Sequence, residues 1–213
     1  MESYATVEGR ASAEIEEKKS RFIASVAHVE TEEEALAFLE EVRAANRMAR
    51  HNVYAYVLRS ADGAGTGGER VRYSDDGEPQ KTAGLPTLEV IRHAGLTDIA
   101  VVVTRYFGGV LLGTGGLVRA YTQATQAGIA AAPRVTVSRC ADVQLQLAYS
   151  DYEPVRRLAL ECGAKILDEQ FTDEVALTAR LLDGQQDAFL AKLRELLHGK
   201  ERVRVEGPFD AVF

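Results

Sequence analysis

The residues best placed to do chemistry in this chain lie in two short runs. The first is Thr104-Arg105-Tyr106-Phe107-Gly108-Gly109-Val110-Leu111-Leu112-Gly113-Thr114-Gly115-Gly116-Leu117-Val118-Arg119. Five glycines in nine positions strip side chains from the backbone where it turns. A bare backbone approaches another molecule closely and tolerates positive φ. The last glycines open a helix, so free N–H groups and the positive end of the helix dipole face outward. That combination suits an anion, most simply a phosphate, and Arg105 and Arg119 flank it with forked cationic donors. The competing reading is a turn that only packs a helix tightly on a sheet. The spacing matches neither the P-loop nor the dinucleotide fingerprint, and taken alone it favours the structural turn.

The second run is Ser74-Asp75-Asp76-Gly77-Glu78-Pro79-Gln80-Lys81-Thr82-Ala83-Gly84-Leu85-Pro86. Asp75, Asp76 and Glu78 have the oxygen ligands for a hard cation, or could serve as acid and base. Asp and Gly also make turns, and Pro79 and Pro86 stiffen the flanks. A turn or a substrate-shaping loop is favoured over a metal site. Calcium-loop spacing, His-Glu-x-x-His and Gly-x-Ser-x-Gly are all absent. His51, after Arg47 and Arg50, reads as a structural strand-start residue or, more sharply, as a general base. Lys18, Lys19 and Arg21 read as a solvated strand start or as part of a phosphate-tracking patch with Arg105 and Arg119. His28, His93 and His198 take no role. Cys140 and Cys162 lack metal spacing and read as reduced structural thiols.

The elements that must position these runs form two α/β units. In the first, which begins near Lys18, Arg21 to Val29 is strand-like. Thr31 and Glu34 form a capping box, and Leu36, Leu39 and Val42 give the helix its apolar stripe. His51 to Ser60 is a second strand, 61–69 a Gly-rich loop or hairpin tip, and Arg70 to Ser74 a segment that pairs back. A short helix spans Thr87 to His93. The buried strand Ile99 to Val103 then leads through the first run into a helix, Gly115 to Ala132, that stops before Pro133. In the second unit Val143, Leu145, Leu147 and Tyr149 alternate as a half-buried strand. Ser150 and Glu153 form a capping box on a helix that runs to Gly163. Strands Lys165 to Phe171 and Glu174 to Leu181 follow. A helix with Phe189, Leu190, Leu193, Leu196 and Leu197 on one face comes next, and then a strand, Arg202 to Glu206. The order β-α-β-β-α-β is ferredoxin-like. No chemical constellation stands out in this unit, which reads as a binding or docking module.

With 213 residues and 46% hydrophobic content, the chain can hold one large domain or two small ones with real cores. It shows no signal pattern and no apolar run long enough to span a bilayer, so a cytoplasmic protein without a membrane partner is expected. Net charge is −7, with 15 basic and 18 acidic residues up to Arg134 and 10 and 14 beyond it. Neither part has the basic excess of a general DNA binder, so any nucleic-acid contact must use a local patch.

Lys19-Ser20-Arg21-Phe22-Ile23-Ala24, His51-Asn52-Val53-Tyr54-Ala55-Tyr56, the run from Ser74 to Pro86, and the Gly-rich run extended from Val103 to Ala120-Tyr121 resemble, in this order, the motifs of the YigZ/IMPACT family. The resemblance covers about residues 18 to 132. It implies an N-terminal domain, residues 1–134, with the fold of the second domain of ribosomal protein S-five. Residues 135–213 resemble the ferredoxin-like domain of bacterial YigZ-type members, similar to domains of elongation factor G. Eukaryotic IMPACT proteins regulate translation under stress through an activator of the general-control kinase, but they carry an RWD domain absent here, so that partner does not carry over. What carries over is a role around RNA or the ribosome, with no established catalysis and no cofactor or metal assigned.

The expected binding residues are Lys19, Arg21, His51, Asp75, Asp76, Gly77, Glu78, Pro79, Lys81, Thr82, Gly84, Arg105, Tyr106, Gly108, Gly109, Gly113, Thr114, Gly115, Gly116 and Arg119. Two classes of function stand: a translation-associated RNA- or ribosome-binding protein, or an enzyme acting on a phosphorylated small molecule. In the enzyme, Asp75, Asp76 or Glu78 would hold Mg²⁺ or act as base and Lys81 would neutralise charge. No complete nucleophile–base set supports the enzyme. The two runs are expected to line one groove.

Overall fold

The computed structural model describes residues 3–59 and 68–213, so most of the expected loop at 61–69 lies outside the described residues. The chain divides into two compact units, one of residues 4–135 and one of residues 136–213 with Ser3.

The first unit contains β1 (Tyr4–Val7), β2 (Arg10–Glu17), β3 (Ser20–His28), α1 (Glu32–Ala45), β4 (His51–Arg59), β5 (Glu69–Ser74), α2 (Gly84–His93), β6 (Ile99–Tyr106) and α3 (Thr114–Ala131). Its sheet has the order β2-β3-β6-β4-β5, and every pair in it is antiparallel. The central strands are apolar along their middle, residues 53–58 and 99–103, because both faces are covered. Val53, Ala55, Val57, Val101 and Val103 point to a core closed by Leu88, Ile91, Leu117 and Tyr121. The alternate residues Tyr56, Leu58, Ala100 and Val102 pack on Phe38, Leu39 and Val42 of α1.

Helix α1 begins as expected: the Thr31 hydroxyl accepts from the Glu34 N–H at 3.1 Å, and the Glu34 carboxylate accepts from the Glu30 N–H at 2.7 Å. The Tyr56 hydroxyl donates to Glu32 at 2.6 Å, tying the first turn of α1 to β4. Burial and this contact push Tyr56 up to about 12. Helix α3 lies along β3. The Tyr121 ring meets Phe22 edge-on at 5.2 Å, and a Cβ on Gly128 would fall 2.8 Å from that of Ala24. The first turn of α3 therefore sits at the end of the sheet where β3 starts.

Two strands precede the expected start of this unit. Short β1 places its Thr6 hydroxyl on the Asp98 carbonyl at 3.0 Å. Strand β2 forms the sheet edge, with one face exposed and the other half-buried. Helix α2 starts at Gly84 rather than Thr87, for a reason that belongs to the site below.

The second unit is built from β7 (Arg134–Leu147), α4 (Tyr149–Glu161), β8 (Lys165–Phe171), β9 (Val175–Leu182), α5 (Gln185–Leu196) and β10 (Arg202–Val212). The sheet order β10-β7-β9-β8 completes the ferredoxin-like pattern. Val143, Leu145, Leu177 and Leu181 pack on Val155, Ala159, Phe189 and Leu193. The expected capping box at Ser150 is absent. Helix α4 starts at Tyr149 with no side-chain cap, and the Ser150 hydroxyl turns to Asp151 at 3.3 Å. Leu196 is exposed rather than part of the core stripe. Both cysteines are free thiols.

Gly128→Val should lower the thermal midpoint of the first unit by the equivalent of about 1–3 kcal/mol, since no space exists for the branched side chain between α3 and β3. An unchanged midpoint in thermal denaturation would contradict this packing.

Candidate functional site

The two runs meet on one buried carboxylate. Glu78 accepts from Arg105 Nη1 at 2.7 Å and from the Tyr121 hydroxyl at 2.8 Å. The side chains of Glu78 and Arg105 are 4% and 8% exposed, and burial drives Tyr121 far above the ordinary tyrosine range. One side chain thus fastens the loop after β5 to both elements that bracket the Gly-rich turn. Arg105 is the penultimate residue of β6 and is buried, so it is not the surface flank expected from sequence. Its Nε is buried with no hydrogen-bond partner among the described residues, and its guanidinium lies 5.5 Å and 5.6 Å from the ring centroids of Phe22 and Phe107.

The other loop carboxylates are equally committed. Asp75 accepts the N–H groups of Lys81, Ala83 and Gly84 at 2.8, 3.1 and 2.8 Å. It caps α2 from nine residues upstream, which lets the helix start at Gly84 and fills its anion-attracting end. Pro86 sits in the first turn, where its missing N–H costs nothing. Gly84 has no room for a side chain: a Cβ would lie 2.7 Å from the Ser74 backbone. Asp76, with φ +44, accepts the Asn52 N–H at 2.6 Å and Arg43 Nη2 at 3.1 Å. His51 donates from Nδ1 to the Asp76 carbonyl at 2.8 Å, beside Gly77, so it holds the loop to β4. The Thr82 hydroxyl donates to the Pro79 carbonyl at 2.7 Å. Among the described residues no three His, Cys, Asp or Glu side chains gather as metal ligands.

The Gly-rich turn sorts into distinct needs. A Cβ on Gly108 would fall 2.0 Å from the Lys19 carbonyl carbon, and its N–H donates to the Ser20 hydroxyl at 3.1 Å. Gly109 and Gly113 have φ of +86 and +71. Gly116 closes on Leu112. Gly115 alone among these five has neither a positive φ nor a close neighbour; its Cβ would lie 3.7 Å from Arg119 Nη1, an ordinary contact. That distance also shows that Arg119 folds back over the first turn of α3. Gly113 supplies no side-chain cap, so the N–H groups of Thr114, Gly115 and Gly116 are open. Asp75 caps the start of α2, whereas no side chain of the described residues caps that of α3.

Two further segments end at the same place. The β2–β3 hairpin turns on Lys18 and Lys19, with φ of +47 and +66. Two-residue hairpins of this kind favour Asn and Gly, so turn chemistry does not account for two lysines. Residues 46–50 connect α1 to β4 and are tied to β6 by the bond from the Tyr106 hydroxyl to Asn46, at 2.9 Å. Lys18, Lys19, Arg47, Arg50, Lys81 and Arg119 are exposed and make no side-chain ion pair among the described residues. Arg21 is different: it pairs with Glu14 at 2.7 Å and lies over the Tyr106 ring. Sequence spacing did not single out Arg47, Arg50 or Tyr121 as site residues. They join the site only because α1, β4 and α3 all present a terminus at this end of the sheet.

Fold and site together define a two-unit α+β protein: a helix-covered antiparallel sheet with a glycine-built helix start, followed by a ferredoxin-like unit. Residues 18–129 match the Impact N-terminal domain and residues 145–200 match DUF1949, a domain of unknown function. The chain belongs to the IMPACT family. It is 36% identical to the IMPACT family member YigZ of Escherichia coli, over 93% of this chain and 96% of that protein. It is 33% identical to YvyE of Bacillus subtilis, over 96% and 91%. A crystal structure of a hypothetical protein aligns with a TM-score of 0.61 at 35% identity, covering 95% of this chain and 97% of that one.

Glu78→Gln should destabilise the first unit by about 3–5 kcal/mol, because it leaves the Arg105 charge buried without a counter-ion. Tyr121→Phe should cost about 1–3 kcal/mol. Urea unfolding measures both, and equal, negligible losses would show the network to be dispensable.

Proposed function

We propose that this chain is a translation-associated protein that binds RNA, free or within the ribosome, through the end of the first unit where α3 begins. The observation that carries the reading is the open first turn of α3 under Arg119, at an end lined by five more exposed, unpaired cations. A phosphate fits there: three N–H groups supply geometry, Gly115 supplies access, and Arg119, Lys18 and Lys19 supply charge. The family supports the translation setting. The resemblance implies kinship with eukaryotic IMPACT proteins, which regulate translation, and the chain is 33% identical to the protein IMPACT homolog of Saccharomyces cerevisiae over 48% of this chain and 39% of that protein. The alternative, an enzyme working on a phosphorylated small molecule, needs free carboxylates, whereas Asp75, Asp76 and Glu78 are each engaged in fixing the loop. The cytoplasm, where RNA and ribosomes are found, is the proposed location; no helix among the described residues is long and apolar enough to cross a membrane. The two units, close to 1–134 and 135–213, are proposed to act as separate domains.

The test is a salt titration of RNA and ribosome binding by the full chain. Arg119→Ala should weaken binding and reduce the slope of log K against log salt by about 1, while changing stability by no more than about 0.5 kcal/mol. Gly115→Ala should weaken binding while leaving stability unchanged or raising it by up to about 1 kcal/mol, since Ala suits a helix better than Gly. If no RNA, ribosome or inorganic phosphate binds the wild type at low salt, the reading is wrong.

A further inference from the structure

The cationic end also carries apolar surface that solvation does not favour. Leu111 is 83% exposed and Met48 is 87% exposed, while Phe107 and Val110 are about half exposed. Phe107, Val110 and Leu111 form the outer part of the Gly-rich turn. Met48 sits in the connection that holds Arg47 and Arg50. The backbone of Lys19 lies directly against Gly108, next to Phe107. Apolar groups and unpaired cations therefore share one surface.

The Phe107 ring is mounted rather than loose. The Arg105 guanidinium lies 5.6 Å from its centroid, and Arg105 is in turn fixed by Glu78 at 2.7 Å. The ring is backed by a buried, immobile cation and turns its remaining area to solvent. A partner that complements this surface needs flat apolar faces and regularly spaced negative charge in one molecule. Unpaired nucleotides have both. A duplex conceals its base faces and offers phosphates, 2′-hydroxyls and base edges, so it would leave Phe107 and Leu111 without an apolar face to match. The second unit does not repeat the arrangement: on its sheet Arg139, Arg180 and Arg204 are paired with Asp210, Asp142 and Glu206.

We infer that this end of the first unit takes single-stranded RNA, with one base stacked on Phe107 and the flanking phosphates on Lys18, Lys19 and Arg119. The inference rests on the reading that this end binds RNA at all. It deepens that reading by naming the strandedness and the stacking residue.

Fluorescence anisotropy with the full chain separates the cases. The probes are a labelled uridine oligonucleotide of about 12 nucleotides, an RNA duplex of the same length, and vesicles rich in phosphatidylserine. Phe107→Leu keeps apolar bulk and removes the ring; Phe107→Trp keeps a ring; circular dichroism confirms that each variant is folded. The wild type should prefer the single strand. Phe107→Leu should weaken single-strand binding by roughly 5- to 150-fold, as loss of one base–ring stack does, with duplex binding unchanged and Phe107→Trp close to wild type. Equal affinity for strand and duplex in the wild type overturns the inference and leaves the proposed function standing. Absence of binding to either overturns both. Vesicle binding that survives Phe107→Leu, without a preference for single strands, assigns the surface to lipid and overturns the inference.

Discussion

The buried contact of Glu78 with Arg105 and Tyr121 is the constraint on which the rest of the site depends. A buried ion pair is tolerable only when it is complete, because removing either partner strands a charge in a low-dielectric interior. Completing it requires that the loop after β5, the end of β6 and the second turn of α3 all arrive at one point. Asp75 and Asp76 act in the same sense, one capping α2 and the other gripping β4 and Arg43. The acidic loop is thus a fastener whose carboxylates face inward. What it leaves outward is the backbone of α3's first turn and the cations of neighbouring segments.

This arrangement resolves the conflict between a net charge of −7 and a polyanionic partner. The loop carboxylates Asp75, Asp76 and Glu78 are paired or hydrogen-bonded, which leaves Glu16 and Glu17 of β2 as the acidic neighbours of the hairpin lysines, and other acidic side chains gather on α1, whose first turn holds Glu32, Glu33 and Glu34. Average charge describes solubility, whereas binding responds to the field at one surface.

Much of the fold could be read from local pattern. The alternation of Val143, Leu145 and Leu147, and the glycine at the end of α4, mark the ferredoxin-like unit. The Thr31 cap marks α1, and Pro133 marks the end of α3. Strand β2 escaped because Arg-Ala-Ser-Ala-Glu-Ile-Glu-Glu is an edge strand whose open face is polar, so it lacks the apolar run of β4 or β6. The cap at Ser150 failed because helix α4 already begins at Tyr149, against a local motif of the right residue types. At the site, the glycines and Arg119 were legible because they are consecutive in sequence. The burial of Arg105 was not, since its partner lies 27 residues earlier and nothing beside it signals a counter-ion. Nor was the cluster of Arg47 and Arg50 with Lys18 and Lys19, which only the strand order brings to one end.

The separation of charge within the first unit has a kinetic consequence. Glu33 and Glu34 open α1 beside the ion-paired Glu32, and unpaired cations crowd the opposite end, so charge is spread along the sheet in the sense of a dipole. Near a polyanion this dipole exerts a torque, turning the cationic end inward before contact and repelling approaches led by α1. Encounters are then filtered by orientation. Added salt lengthens the search by weakening that torque, in addition to loosening the complex once it has formed.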